Sequence, residues 1–109
     1  MGKTLIDSIQ ELVSKREYLF TIHAGDRMTE RHIAVEEVEQ MLMSDGVEVI
    51  EDYPDDPRGA SCLVLGVTGP GRPLHVHCTH PPGLAVITAY QPDASEWEDD
   101  FRKRRGGAR

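Results

Sequence analysis

The chain has 109 residues, 39% of them hydrophobic and 28% charged, and a formal net charge of −7. That length fits one domain with a single core, and the composition is that of an ordinary globular protein. The acidic balance excludes a protein that coats nucleic acid nonspecifically, because phosphate neutralisation needs a basic surface. No apolar run approaches the roughly 18 residues that span a bilayer, and the N-terminus lacks a signal-peptide apolar segment. The expected compartment is the cytoplasm, with no membrane among the partners. There Cys62 and Cys78, the two cysteines, are expected as reduced, buried thiols.

Residues 3–16 carry Leu5, Ile6, Ile9, Leu12 and Val13 at helical spacing. A short apolar link, "YLFTI", leads to "HAGDRMTER", which reads as a second helix with Thr21 as its cap. A third fits 34–43, with Val35, Val38, Met41 and Leu42 on one face, and is expected to close at Gly46 in a left-handed conformation. The pattern then turns to β-branched runs at 47–53, 61–67, 72–79 and 84–90, separated by Pro/Gly loops. "TGPG" and "HPPG" join the last three as hairpins. "ASEWEDDFRKRR" reads as a closing helix with acids first, bases last, and Asp93 with Glu96 as a capping box. These elements predict a single α+β domain, with N-terminal helices, a four-stranded antiparallel sheet and a C-terminal helix. Its core spans about 3–101, and 102–109 is a basic, flexible tail.

Charge is unevenly spread. Residues 44–57 hold six acids and no base, and "RKRRGGAR" at 102–109 holds five bases and no acid. The acidic stretch offers a surface to a basic protein partner, and the overall balance leaves room for nucleic acid held at one local site.

"LHVHCTH", residues 74–80, concentrates three of the five histidines. With Thr68–Gly71 as a four-residue loop, Val67 falls opposite Arg72. Leu63, Leu65 and Val67 then share the core face with Leu74, Val76 and Cys78, while Cys62, His75 and His77 lie on the other. His80 falls at the strand end or in the proline loop. Three readings stay open: an exposed sheet face that happens to be rich in imidazole, part of a catalytic centre, or a zinc site in which Cys62 joins His75 and His77. An odd offset across "HPPG" puts Tyr90 on the His75 face; an even one buries it.

In "HAGDRMTER", His23, Arg27 and Arg31 recur every four residues along one side of a helix. Two guanidiniums and an imidazole pointing one way suit an anion, and the helix N-terminus keeps His23 neutral and available as a base. A solvated basic face paired to Asp26, Glu30 or Glu36 is the alternative.

"FTIHAGDRMTERHI", with "RPLHV", "ITAYQP" and Trp97, resembles the bacterial domain-of-unknown-function family forty-two fifty-eight over about residues 18–100. His77, Cys78 and His80 depart from that family's apolar strand pattern, and Ala34 from its Ser/Thr cap. The resemblance implies a RelE-like fold and a small metal-independent endoribonuclease, the toxin of a toxin–antitoxin pair, with RNA and an antitoxin as partners and no cofactor. It implies His23 and His75 as the base/acid pair, Arg27 as phosphate stabiliser, and Tyr90 and Arg31 as supporting residues. A non-catalytic interaction module of the same fold is the competing reading.

Overall fold

Thr4 opens the first helix with reciprocal hydrogen bonds: its hydroxyl accepts from the Asp7 N–H, and the Asp7 carboxylate accepts from the Thr4 N–H. In the computed structural model, which describes residues 3–106, this is α1, Leu5–Ser14, with Ile9 and Val13 buried. The link that follows is a strand, β1 (Leu19–Phe20). Thr21 then caps α2 (Ile22–Glu30), its hydroxyl accepting from the Ala24 N–H at 3.0 Å. Ala34 has no cap oxygen to offer α3 (Val35–Leu42); only the Glu37 carboxylate reaches back, to the Ala34 N–H at 2.9 Å. Ser44, not a left-handed glycine, closes α3, with its hydroxyl and N–H both on the Met41 carbonyl. Gly46 is not among the residues with positive φ. None of the helices of the described residues is long and apolar enough to cross a membrane.

The strands β2 (Glu48–Tyr53), β3 (Ser61–Val67), β4 (Pro73–Thr79) and β5 (Ala85–Tyr90) form an antiparallel meander. The sheet nevertheless has five strands and is mixed, in the order β1-β5-β4-β3-β2, because β1 pairs parallel to β5. Two residues sufficed for that strand, too few for an alternation to register in sequence.

The β3–β4 register lies one residue from the expected one: Val67 faces Pro73, and Cys62 faces Cys78. The side chains packed under the helices are therefore Cys62, Val64, Leu74, Val76 and Cys78. Leu63 and Leu65 sit on the other face, opposite His77 and His75, and Val67 is exposed. At Gly66 the helix layer comes closest, since a Cβ there would lie 2.4 Å from the Met41 carbonyl oxygen. Only glycine admits that approach.

Among the described residues no C-terminal helix forms. After a turn in which Asp93 accepts from the Ser95 N–H at 2.8 Å rather than boxing with Glu96, the chain makes a hairpin of β6 (Trp97–Glu98) and β7 (Lys103–Arg104). Asp99, Asp100 and Phe101 at its tip have φ of 55°, 53° and 71°. Left-handed residues cannot extend a right-handed helix and cost about 1–2 kcal/mol each. Long-range contacts offset that cost: Trp97 is buried, Arg102 pairs with Glu48 at 2.9 Å, and Arg104 pairs with Glu51 at 2.8 Å. Of the expected basic tail, Arg102–Arg105 thus belong to this hairpin and its ion pairs, and 107–109 lie outside the described residues.

Candidate active site

The sheet has one face under the helices and one that the C-terminal hairpin covers only in part. On that second face a cleft of about 300 Å³ opens, lined by His77 and Leu63 from the inner strands, Thr88 and Tyr90 from β5, and Glu51 and Tyr53 from β2. Asp56 and Arg58 from the β2–β3 loop and Arg104 from the hairpin complete it. Two bulges make this lining possible. In β2 the pairing slips between Val49 and Glu51, so Ile50 is the extra residue and Glu48, Glu51 and Tyr53 all turn toward the hairpin side. In β5, Tyr90 faces His75 and Thr88 faces His77, but Val86 faces Cys78, leaving Ile87 as the extra residue. Both offsets across "HPPG" therefore occur: one puts Thr88 and Tyr90 beside the histidines, the other buries Val86 in the core.

His75 is fully buried. Its Nε2 lies 2.9 Å from the Phe101 carbonyl oxygen, its Nδ1 3.1 Å from the Tyr90 hydroxyl, and the Trp97 ring stands edge-on at 4.4 Å. A carbonyl can only accept, so Nε2 carries the proton and Nδ1 accepts from the Tyr90 O–H. Burial pushes the imidazole below its ordinary value, against upward pulls from the Phe101 carbonyl and Glu51. Burial also pushes the Tyr90 phenol up to about 12. The pair is thus a neutral imidazole and a protonated phenol.

His77 is half-buried and lines the cleft. Its Nε2 lies 3.0 Å from Ser61 Oγ, whose hydroxyl donates to Asp56 Oδ2 at 3.2 Å. Since the Ser61 proton goes to a carboxylate, His77 Nε2–H must be the donor, and the ring's lone pair is at Nδ1. Burial lowers the His77 pKa, outweighing the pull of Asp56 upward. Asp56 itself is held below the ordinary carboxyl range by the Arg58 N–H and guanidinium. Arg104 hydrogen-bonds Glu51 through Nε and Nη2 at 2.8 and 3.0 Å and stacks over Trp97 at 4.8 Å. Burial would raise the Glu51 carboxyl, but its hydrogen bonds from Arg104 and Tyr53 hold it down. The Arg58 guanidinium side chain is 85% exposed, the cleft's most open cation.

The residues singled out in sequence come together only in part. His75 and Tyr90 are in direct contact. Arg31, at the end of α2, donates to the Ala89 carbonyl at 2.9 Å and Thr88 Oγ1 at 3.2 Å, with its guanidinium 5.9 Å from the Tyr90 ring centroid. It satisfies a strand edge that β1 is too short to cover. His23 is exposed and Arg27 pairs with Glu30 at 2.9 Å; neither lines the cleft. Cys62 lies in the helix-side core with its sulfur 4.0 Å from that of Cys78, on the opposite face of the sheet from His75 and His77. No group of three or more His, Cys, Asp and Glu among the described residues is arranged to hold a metal ion. His80 binds Asp52 at 2.7 Å beyond the strand end.

Sequence reading passed over Tyr53, Asp56, Arg58, Ser61 and Arg104. Tyr53 and Asp56 sat in the acidic stretch 44–57 and Arg104 in the basic stretch 102–109, but Arg104 and its partner Glu51 lie 53 residues apart.

The architecture is α+β, a five-stranded mixed sheet and a small two-stranded one, with a polar cleft on the face of the larger sheet away from the helices. The family model described as "Domain of unknown function (DUF4258)" matches residues 20–91, and the chain belongs to that family. The match takes in α2, α3 and the meander but ends before Trp97 and the C-terminal hairpin. No curated protein and no solved structure matches the chain.

Proposed function

We propose that the chain is a small endoribonuclease-like domain that works without a metal, acts as the toxin of a toxin–antitoxin pair, and uses the cleft as its active site. One observation carries the reading: His77, with its Nδ1 lone pair available and its Nε2 held by Ser61 and Asp56, shares a cleft with Arg58, Arg104 and Tyr90. RNA supplies its own nucleophile. His77 Nδ1 takes the 2′-hydroxyl proton as the O2′–P bond forms and the P–O5′ bond breaks. The guanidiniums offset the extra charge on phosphorus, and the leaving 5′-oxygen takes a proton from solvent at the open mouth of the cleft. Arg58 is poised for phosphate because its own side chain is open to solvent and its side-chain contacts to Asp56 are long, at 3.4 and 3.5 Å. The overall net charge of −7 is compatible with this, since the phosphate is met at one local site.

Glu48 and Glu51 of the acidic stretch are occupied by Arg102 and Arg104, which weakens the competing reading of that stretch as a dock for a basic partner. Purified protein is expected to cleave RNA with chelator present, and expression is expected to arrest growth unless the neighbouring open reading frame is co-expressed. His77→Ala should abolish cleavage while His23→Ala and Arg27→Ala retain it. The reverse pattern would move the site to α2, and no cleavage by the unsubstituted protein would leave an interaction module.

A further inference from the structure

A tyrosine has one proton, and where it goes decides what the phenol offers a ligand. Here Phe101 lies on the far side of His75 from Tyr90: the Phe101 carbonyl takes the Nε2 proton at 2.9 Å, and the bare Nδ1 stands 3.1 Å from the Tyr90 oxygen. The full burial of His75 and the edge of Trp97 against it leave the ring no second orientation to solvent. We infer that His75 is a positioning residue that commits the Tyr90 proton inward, so that Tyr90 presents only lone pairs to the cleft and accepts a hydrogen bond from a ligand hydroxyl.

The class of ligand follows from what surrounds that oxygen. His77 Nδ1 is a second acceptor in the same cleft, and Arg58 and Arg104 supply cationic donors. Acceptors beside guanidiniums suit a hydroxyl adjacent to a phosphate, the arrangement at the 2′ and 3′ positions of a ribonucleotide 3′-phosphate. The 2′-hydroxyl's one proton goes to the Tyr90 oxygen in the bound ground state and passes to His77 Nδ1 only as the O2′–P bond forms, and Tyr90 thereby selects ribose over deoxyribose. The carbonyl that sets this polarity belongs to the hairpin, outside residues 20–91 matched by the family, so the device is carried by the chain's own C-terminal segment.

The inference rests on the cleft proposed above as the ligand site, but not on that cleft cleaving RNA. Nitrogen-15 NMR of the unmodified protein at pH 8 is expected to show His75 as the neutral Nε2–H tautomer. Isothermal titration with a ribonucleoside 3′-monophosphate and its 2′-deoxy counterpart should then show about tenfold tighter binding of the ribose form, the size of one hydrogen bond. That difference should vanish in Tyr90→Phe. A proton on His75 Nδ1, equal binding of the two nucleotides, a preference that survives Tyr90→Phe, or no binding of either at millimolar concentration would each overturn it. Ribose-selective binding without RNA cleavage would remove the ribonuclease reading and leave this one standing. Cleavage with the wrong tautomer would do the opposite.

Discussion

The two faces of the sheet are built from the same four long strands by different physics. Under the helices, Cys62, Val64, Leu74, Val76, Cys78 and Val86 are all buried among apolar neighbours, and what holds them is non-directional area removed from water. On the hairpin side the buried or half-buried set includes His75, His77, Ser61 and Tyr90, each held by a hydrogen bond with a defined donor and acceptor. The first face is close-packed and supplies stability. The second depends on geometry, and its polar groups cost stability when a partner is lost. A protein that placed its site on the first face would have to hollow out its core.

Breaking the contrast should separate activity from stability. The largest effect is expected from His77→Ala: RNA cleavage falls by about 10²–10⁴, the range for a lost general base, while the urea midpoint moves little by comparison. Leu74→Ala, on the other face, should cost ~2–5 kcal/mol of folding stability yet leave the cleavage rate per folded molecule unchanged. If the two substitutions have the same profile, the division of labour fails.

Gly66→Ala probes how tightly the helix layer sits. The Cβ that would meet the Met41 carbonyl at 2.4 Å must push backbone aside, and a loss of ~1–3 kcal/mol in chemical denaturation is expected from such overpacking. A neutral result would mean that α3 can slide away from the sheet.

Acid should act on the polar face first. His75 and His77 both have folded-state pKa values below the ordinary imidazole value, chiefly from burial. Between those values and about 6.5 the unfolded chain binds protons that the folded chain does not. Stability from these two groups is therefore complete above about pH 6.5 and declines as pH falls through their folded values. Urea midpoints measured at pH 7.5 and 5 should show the decline, and replacing His75 by Phe should reduce it. An unchanged midpoint would contradict a buried neutral His75.

The smallest effect is expected from Glu51→Gln, which removes the carboxylate that holds Arg104. An ion pair whose guanidinium is half exposed is worth at most about 1 kcal/mol, and less at high salt. Its signature is a narrowing gap between variant and parent as sodium chloride is raised.

Much of the fold was legible. Thr21 announced α2, the β-branched runs marked β2–β5 within a residue or so, and Cys78 turned inward as expected. His75 and His77 do point away from the helices, as alternation requires. The failures share one origin. Val67 opposite Arg72 presumed a four-residue loop where the chain uses five, and that single residue of slip exchanged Cys62 for Leu63 beneath the helices. "ASEWEDDFRKRR" has the charge order of a good helix, but its bases Arg102 and Arg104 find Glu48 and Glu51 on β2 instead of a helix terminus.

By itself, then, the sequence determined the kinds of element and their limits, because caps, turn residues and the period of apolar side chains act over a few positions. Only the tertiary structure decided the bulges at Ile50 and Ile87, the parallel strand β1, and the hairpin that seals His75 and carries Arg104 to the cleft. Each of those depends on a partner in another strand, beyond the few positions over which a local pattern acts. A local pattern reports which face a side chain prefers, but not what the folded chain will bring to meet it.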